Sequence, residues 1–334
     1  MSYIAVLGAG AWGSSLAKLL AEKEYDTVIW ALEKEVADEI NEKGINSVYL
    51  DGVSFPGTLK ATSDLSEAVN KARYILNVVP TQHTRSVIEK ALPYIEDSAV
   101  IINASKGIEN GTHLTVSSII KELTGHRIAV ISGPSFAAEV TKRLPTAVTL
   151  ATEDNSTALI LQEIFNTDYF RVYTHNDILG VELGGALKNV MAVASGISDG
   201  LGLGNSARAA LITRGLAEMS RLGASMGADP ATFAGLSGLG DLVLTCSSPL
   251  SRNYTVGSQL GQGKTLKEIM EGRKSVAEGV ATAKAAHDLA LKQNVDMPIA
   301  EQVYRVLYED KPAATAVSDL MTRSPKSEFS LPDA

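Results

Sequence analysis

The chain has 334 residues, 45% of them hydrophobic and 20% charged, with a formal net charge of -8. That length suits two domains with a sizeable core, and the acidic balance argues against nucleic acid as a partner, since nucleic-acid binders carry clustered Lys and Arg. A single cysteine, Cys246, excludes an intramolecular disulfide framework and suits a reducing, cytoplasmic setting.

Ile4–Leu7 is a short apolar run that enters Gly8-Ala9-Gly10-Ala11-Trp12-Gly13. A helical pattern through Glu22 and a second apolar run, Thr27–Trp30, follow, and the latter leads to Glu33. Strand, glycine turn, helix, strand and acid make the dinucleotide fingerprint in its proper context. Gly8 permits the tight turn, Gly10 lets backbone reach a pyrophosphate, and Gly13 lets the helix pack on the strand. The helix N-terminus, from Ala11 onward, meets the phosphates with unpaired N–H groups. Glu33 sits where an acid bonds the ribose hydroxyls of NAD and repels the 2′-phosphate of NADP. Glycines that serve turn geometry alone are the plainer reading, and the context favours a nucleotide site over it.

Further apolar runs at 74–79, 99–102, 128–131 and 146–150 are nearly continuous, as in strands buried on both faces of a parallel sheet. Helical patterns at 84–92, 114–123 and 137–143 lie between them. Ligands bind such sheets beyond the carboxyl ends of the strands. There the sequence places Pro80, Asn103-Ala104-Ser105-Lys106-Gly107 and Ser132-Gly133-Pro134-Ser135-Phe136. Alone, Lys106 reads as an exposed loop lysine and Gly133-Pro134 as strand-to-helix punctuation. All three loops should nonetheless open onto one crevice with the glycine turn.

Near residue 176 the strand-like runs cease, so the expected domains are 1–176 and 177–334. The next segment is apolar on nearly every face, which marks a buried helix. Lys188 is its only cation between Asp177 and Ser198. It is either a buried ammonium, costly unless paired or deprotonated, or a lysine that snorkels to a nearby surface. Gly184 and Gly185 cost about 1 kcal/mol each in a helix interior, which suggests that something approaches the backbone there. Asn205-Ser206 can cap a helix through Met226, with Arg208, Arg214 and Arg221 solvated or paired to Glu218. A glycine-rich turn from Gly235 leads into an apolar segment headed by Asp241. Cys246 in that segment has no histidine nearby and reads as a small buried hydrophobe rather than a nucleophile. Ser251 is a natural N-cap for a helix to Gly261, and Arg252 in its first turn is either a phosphate receptor or a surface salt-bridge partner. Helices near 279–293 and 299–309 follow, and the polar stretch from Thr322 onward should be loose. The five histidines share no metal-binding spacing, so no metal is expected. No basic signal-peptide start and no apolar run of membrane-spanning length are present, so a soluble, unexported protein without membrane insertion is expected.

Taken together, the motifs resemble one family, the bacterial-type NAD(P)-dependent sn-glycerol-3-phosphate dehydrogenases. The matching stretches are the glycine turn, Ala104-Ser105-Lys106-Gly107, Ile131-Ser132-Gly133-Pro134-Ser135-Phe136, Leu183-Gly184-Gly185-Ala186-Leu187-Lys188-Asn189-Val190, the segment 210–219, Gly238-Leu239-Gly240-Asp241-Leu242 and Ser251-Arg252-Asn253. The resemblance implies an α/β fold: an N-terminal Rossmann domain with a doubly wound, mostly parallel sheet, then an all-α C-terminal domain. It implies interconversion of dihydroxyacetone phosphate and glycerol 3-phosphate, which supplies glycerophospholipid synthesis, and it allows for a homodimer. Lys188 would be the proton acceptor in the oxidative direction. Substrate contacts would come from Lys106, Gly133, Ser135, Lys188, Asp241, Ser251, Arg252 and Asn253. Trp12, Lys106, Ala137, Arg252, Val276 and Glu278 match cofactor-contacting positions. The residues agree with this chemistry: Lys106 is a like charge that, with burial, would lower the Lys188 pKa, and Asp241 could orient Lys188 or a substrate hydroxyl.

Two positions depart from the family pattern. Leu32 precedes Glu33, and Tyr254 follows Ser-Arg-Asn, at places where basic residues are frequent. Both changes remove positive charge from the expected neighbourhood of a 2′-phosphate, while the resemblance implies that NADP is used as well, so NAD and NADP are both expected as cofactors, with a modest preference. Two rival readings are a hydroxy-acid dehydrogenase of similar two-domain plan, which would take a carboxylate substrate, and a dinucleotide-sensing protein without chemistry.

Overall fold

The computed structural model describes residues 3–271, 277–325 and 327–328. The strands among them are β1 (Ile4–Leu7), β2 (Thr27–Trp30), β3 (Ile45–Asn46), β4 (Leu50–Ser54), β5 (Lys60–Thr62), β6 (Tyr74–Asn77), β7 (Val100–Asn103), β8 (Arg127–Ser132), β9 (Thr146–Ala151) and β10 (Phe170–His175). Eight form a sheet in the order β10-β9-β8-β7-β6-β1-β2-β5, while β3 and β4 pair separately as an antiparallel hairpin. Every ladder of the large sheet is parallel except β8 with β9. The central strands β1, β2, β6 and β7 are buried at every residue because helices cover both faces, which explains their unbroken apolar runs.

From β1 the chain winds outward to β2 and β5, then returns to β6 on the other side of β1. This is the doubly wound dinucleotide-binding order, with its switch point between β1 and β6. Gly8 and Val78 leave the two strands side by side there, the Gly8 N–H bonding Trp30 O at 3.0 Å and the Val78 N–H bonding Leu7 O at 2.9 Å.

Beyond β10 the described chain is helical. Ile178–Gly200 forms the centre, with Gly204–Ser225, Asp241–Cys246, Arg252–Gly261, Glu278–Gln293 and Pro298–Tyr308 packed around it. This helix of 23 residues is long and apolar enough to cross a membrane, contrary to the expectation from the sequence, yet 94% of its most apolar window is enclosed by the protein. Against Arg252–Gly261 it packs backbone to backbone. A Cβ on Gly196 would lie 2.0 Å from Tyr254 O, and one on Gly257 would lie 2.0 Å from Val193 O. Only glycine fits at such a crossing, and the crossing carries Ser251-Arg252-Asn253 toward Lys188.

Several local expectations are corrected. The strands β3, β4, β5 and β10 were not anticipated. β10 is an edge strand that buries Phe170 and Val172 and exposes Arg171 and Tyr173, so it alternates where the central strands do not. The helix expected over 137–143 is only Ala137–Val140. Asn205 and Ser206 do not cap their helix, because it begins at Gly204 without a side-chain cap. The segment after Gly235 coils tightly over Leu236–Gly240 and continues as the helix Asp241–Cys246. Arg208 donates to Asp199 and Arg221 to the Asp296 carbonyl. The hydrogen bonds of Glu218 instead come from the N–H groups of Ile299 and Ala300, at the start of Pro298–Tyr308.

Glu218 is 2% exposed, and burial pushes its carboxyl up to about 7 against the lowering effect of those N–H groups. A folded-state pKa above the unfolded value means that the native state holds a proton the unfolded chain releases. Stability therefore falls as pH rises from the unfolded value toward 7. Relative to Glu218→Gln, the wild type should lose about 2–3 kcal/mol of unfolding free energy between about pH 4.5 and pH 7. Urea titrations across that range would read it. Parallel curves would mean that Glu218 is already ionised at the low end.

Candidate active site

Lys188 sits midway along the Ile178–Gly200 helix and is 7% exposed. It does not snorkel. Its Nζ donates to Thr245 Oγ1 at 2.8 Å and lies 3.1 Å from Asp241 Oδ1. Asp241 Oδ2 accepts from Lys106 Nζ at 2.6 Å, and that ammonium also donates to Gly133 O at 2.9 Å. The Ser135 hydroxyl donates to the same carbonyl at 3.0 Å. Lys106, Gly133, Ser135, Lys188 and Asp241 are thus joined in one hydrogen-bonded set at the carboxyl ends of β7 and β8. The notch at Gly184 and Gly185 is filled by the protein itself. Cβ atoms there would lie 2.7 Å from Ser237 O and 2.5 Å from Ser132 Oγ.

Two ammonium groups share one buried carboxylate, and their electrostatics follow from that. Burial lowers the Lys188 pKa to about 8; Asp241 opposes the shift and Lys106 adds to it. Burial alone would raise the Asp241 carboxyl, but Lys106 and Lys188 outweigh it and hold the group below its ordinary value. Cys246 is wholly buried and burial pushes its thiol up to about 12, so it is an inert hydrophobe at neutral pH.

The glycine turn lies beside this set. Gly8 has φ +113°, and a Cβ on Gly13 would lie 1.9 Å from Gly8 O, so the helix Ala11–Glu22 packs hard against the strand end. A Cβ on Gly10 would meet nothing within 4 Å, which leaves open space over its backbone. The indole N–H of Trp12 is buried without a hydrogen-bond partner. Ser15 Oγ donates to Ala137 O at 3.2 Å, which places Ala137 against the same helix. Open backbone, a helix N-terminus and an unmatched donor fit a bound dinucleotide. Glu33 lies apart, at the end of β2, where its Oε1 accepts from the Tyr49 hydroxyl at 2.8 Å. Leu32 beside it is 75% exposed.

Ser251 caps Arg252–Gly261 as expected, accepting the Tyr254 N–H at 3.2 Å. Asn253 reaches the Ile178–Gly200 helix, donating to Asn189 Oδ1 at 2.8 Å and accepting from the Gly279 N–H at 2.9 Å. Arg252 stands solvent-facing at the helix start, within the electrostatic reach of Glu278. Glu278 accepts from the Thr81 N–H at 3.0 Å, and burial pushes its carboxyl up to about 7 against that bond and Arg252. Val276 lies outside the described residues. Tyr254 is buried and its hydroxyl accepts from Arg208 at 3.3 Å, so its identity bears on helix packing and not on a 2′-phosphate.

Sequence reasoning missed Thr245, Asn189 and Tyr49. Thr245 was within reach: it lies four residues after Asp241, on the same face once that segment is read as a helix. Asn189 follows Lys188 directly and interrupts the same apolar run. Tyr49 carried no signal, because it sits in the unforeseen hairpin of β3 and β4.

Comparison with known proteins matches residues 3–158 to the family model for the N-terminus of NAD-dependent glycerol-3-phosphate dehydrogenase and 177–318 to that for its C-terminus. Glycerol-3-phosphate dehydrogenase [NAD(P)+] of Citrifermentans bemidjiense is 53% identical over 329 residues, covering 97% of this chain and 98% of the relative. The protein of the same name from Desulfotalea psychrophila is 52% identical over 332 residues, with 97% and 98% covered. The crystal structure of glycerol-3-phosphate dehydrogenase from Coxiella burnetii superposes with a TM-score of 0.93 at 43% identity, covering 96% of this chain and 99% of that one.

Proposed function

The chain belongs to the NAD-dependent glycerol-3-phosphate dehydrogenase family, and from that premise we propose how its own residues divide the reaction. It is an oxidoreductase that interconverts sn-glycerol 3-phosphate and dihydroxyacetone phosphate with NAD or NADP. The observation that carries the assignment of roles is the buried Lys188 ammonium, held by the carboxylate that also binds Lys106. The nicotinamide, when bound, accepts or supplies the hydride at C2. Gly8, Gly10, Ala11, Trp12 and Gly13 hold its pyrophosphate side and Glu33 its ribose, with Ala137, Arg252 and Glu278 along the crevice.

In oxidation, neutral Lys188 takes the proton from the C2 hydroxyl; in reduction, its ammonium returns one to the carbonyl oxygen. Asp241 holds both lysines in place and keeps Lys188 from losing its proton far below neutral pH. Lys106, anchored by Gly133 and Asp241, has its remaining N–H for a substrate oxygen, with Ser135 beside it. Ser251, Arg252 and Asn253 present a helix start and a guanidinium to the phosphate, a dianion that such a terminus favours. The domain division near residue 176, a homodimer and a cytoplasmic location complete the proposal. The division is supported by strands ending at His175 and the long helix beginning at Ile178, and the dimer is checked by sedimentation velocity. A carboxylate substrate would leave the Arg252 helix start without its dianion, and a sensor without chemistry would not need two lysines on one buried acid.

Lys188→Ala should lower turnover roughly 10²–10⁴-fold. With the Lys188 pKa at about 8, reduction needs the ammonium and should fail above that pH, while oxidation needs the amine and should rise through it. Reduced-cofactor absorbance at 340 nm follows both directions. Near wild-type turnover in a folded variant removes Lys188 from its role.

Arg252→Ala should raise KM for dihydroxyacetone phosphate by a factor of about 10–150, because a charged hydrogen bond contributes about 1.5–3 kcal/mol. An unchanged KM would shift the phosphate to Lys106.

For the cofactor, Glu33→Ala combined with Leu32→Arg should move the kcat/KM ratio toward NADPH by about tenfold or more, or ~1.4 kcal/mol. The comparison uses both reduced cofactors on each protein. A wild type that already favours NADPH a hundredfold (~2.8 kcal/mol) would contradict the role given to Glu33.

A further inference from the structure

Glu182 lies on the Ile178–Gly200 helix ahead of Lys188 and is 5% exposed. Its carboxylate faces the sheet. Oε1 accepts from Asn103 Nδ2 at 2.7 Å and from the Ser117 N–H at 2.9 Å, and Oε2 accepts from the Ser117 hydroxyl. These donors are neutral, as is the Thr115 hydroxyl that also acts on the carboxyl. Burial therefore raises the Glu182 carboxyl above its ordinary range despite these bonds. An apolar residue would fill such a place with less penalty if only packing were required.

Asn103 leads onward from that carboxylate. It ends β7, its Oδ1 accepts from the Ser105 N–H at 3.0 Å, and its Nδ2 also donates to Ser105 O at 3.1 Å. Ser105 Oγ in turn donates to Val79 O at 2.6 Å. The next residue is Lys106, which reaches Asp241 and through it Lys188. The bonds therefore close a ring that starts and finishes on one helix: Glu182, Asn103, Ser105, Lys106, Asp241, Lys188. Ser117 anchors Glu182 from outside the ring, at the start of the helix Val116–Leu123. The cap residue there, Thr115, makes no side-chain cap bond, and the Glu182 carboxylate takes that place.

We propose that Glu182 is a positioning residue for the dehydrogenase reaction: through Asn103 it fixes the Ser105-Lys106 loop at the separation from Lys188 that the shared Asp241 requires. This rests on Lys188 as the acid/base. Among the described residues, the charged or titratable groups acting on Lys188 are Asp241, Lys106 and the Cys246 thiol. Lys106 lowers the Lys188 pKa and Asp241 raises it. A released loop withdraws the first influence and leaves Asp241 to Lys188 alone, so both changes move Lys188 upward.

The test is the pH profile of kcat and kcat/KM for dihydroxyacetone phosphate reduction in wild type, Glu182→Ala and Glu182→Gln, alongside thermal unfolding of each. Glu182→Ala should lose about tenfold in kcat, as expected for a misplaced catalytic group. Its alkaline limb should move up by about half a pH unit. Glu182→Gln keeps an oxygen for Asn103 and the Ser117 N–H, and its NH₂ can donate to the Ser117 hydroxyl, so it should restore both readings. A folded Glu182→Ala with wild-type kcat, or with a limb that stays in place while only Tm falls, overturns the proposal. Should Glu182→Ala fail to fold, Asn103→Ala cuts the ring at its other node and must give the same upward shift; an unmoved limb there overturns it equally. A wild type with no limb near pH 8 would overturn the Lys188 reading and this proposal with it, whereas a wild-type limb that no variant moves overturns this proposal alone.

Discussion

A buried ammonium governs the design of this protein. Lys188 has almost no access to water, and a lone cation in that position would discard its proton or destabilise the fold. A dedicated carboxylate would solve the problem too well, restoring a lysine that stays charged at every working pH. Asp241 is instead divided between Lys188 and Lys106, with Thr245 accepting a further Lys188 hydrogen bond. One negative charge between two positive ones leaves Lys188 only partly compensated, and the outcome is a pKa of about 8. At that value the group can give or take a proton near neutrality, as a reversible hydroxyl–carbonyl interconversion demands.

Such a balance survives only if the distances are fixed, and the helix Ile178–Gly200 fixes them along its length. Asp177 caps its start, accepting the Gly180 N–H. Glu182 ties the next turn to β7 and to Val116–Leu123. Gly184 and Gly185 admit Ser237 and Ser132 close to the backbone just before Lys188. Gly196 then meets Tyr254, so that the helix bearing Arg252 and Asn253 crosses at backbone contact. The glycines that weaken this helix as an isolated segment are the positions where neighbouring backbone needs their missing side chains. Intrinsic propensity yields to packing there because the helix is enclosed on all sides.

Much of this was legible in the sequence, for identifiable reasons. Strands buried on both faces announce themselves as unbroken apolar runs, so β1, β2 and β6 to β9 were anticipated; β10, half exposed at the sheet edge, and the short β5 carry no such run. The glycine turn, Lys188 and Lys106 stood out because each contradicts its surroundings: glycines at a strand end, a cation in an apolar helix, a basic residue where a crevice must open. Asp241 was read and Thr245 was overlooked, since their partnership shows only once the segment from Asp241 is read as a helix. Tyr254 shows the opposite failure. Its place in the sequence beside Arg252 and Asn253 suggested the cofactor, but one residue along a helix turns a side chain by about 100°, and Tyr254 points into the packing toward Arg208. Glu182 was hidden more deeply. Its partners Asn103 and Ser117 come from separate elements, and no local spacing joins the three.

Three of the buried acids share a direction that no single residue reveals. Glu182, Asp241 and Glu278 all belong to the helical half, and each meets a donor from the carboxyl-end loops of the sheet: Asn103 with Ser117, Lys106, and the Thr81 N–H. Two of those donors, the N–H groups of Thr81 and Ser117, lie in the first turns of helices that follow the loops. In a doubly wound sheet the helix N-termini gather at the carboxyl ends of the strands, and their unpaired N–H groups make that face electropositive. The same field that suits the phosphates of a dinucleotide therefore also attracts carboxylates from whatever packs on top. The helical half supplies acids where it seals the crevice and a guanidinium, Arg252, where it leaves the crevice open to solvent. Glu33 lies on the far side of the glycine turn: it occupies the N-cap position of the helix Lys34–Lys43 without a side-chain cap bond, and its carboxylate accepts from the Tyr49 hydroxyl instead.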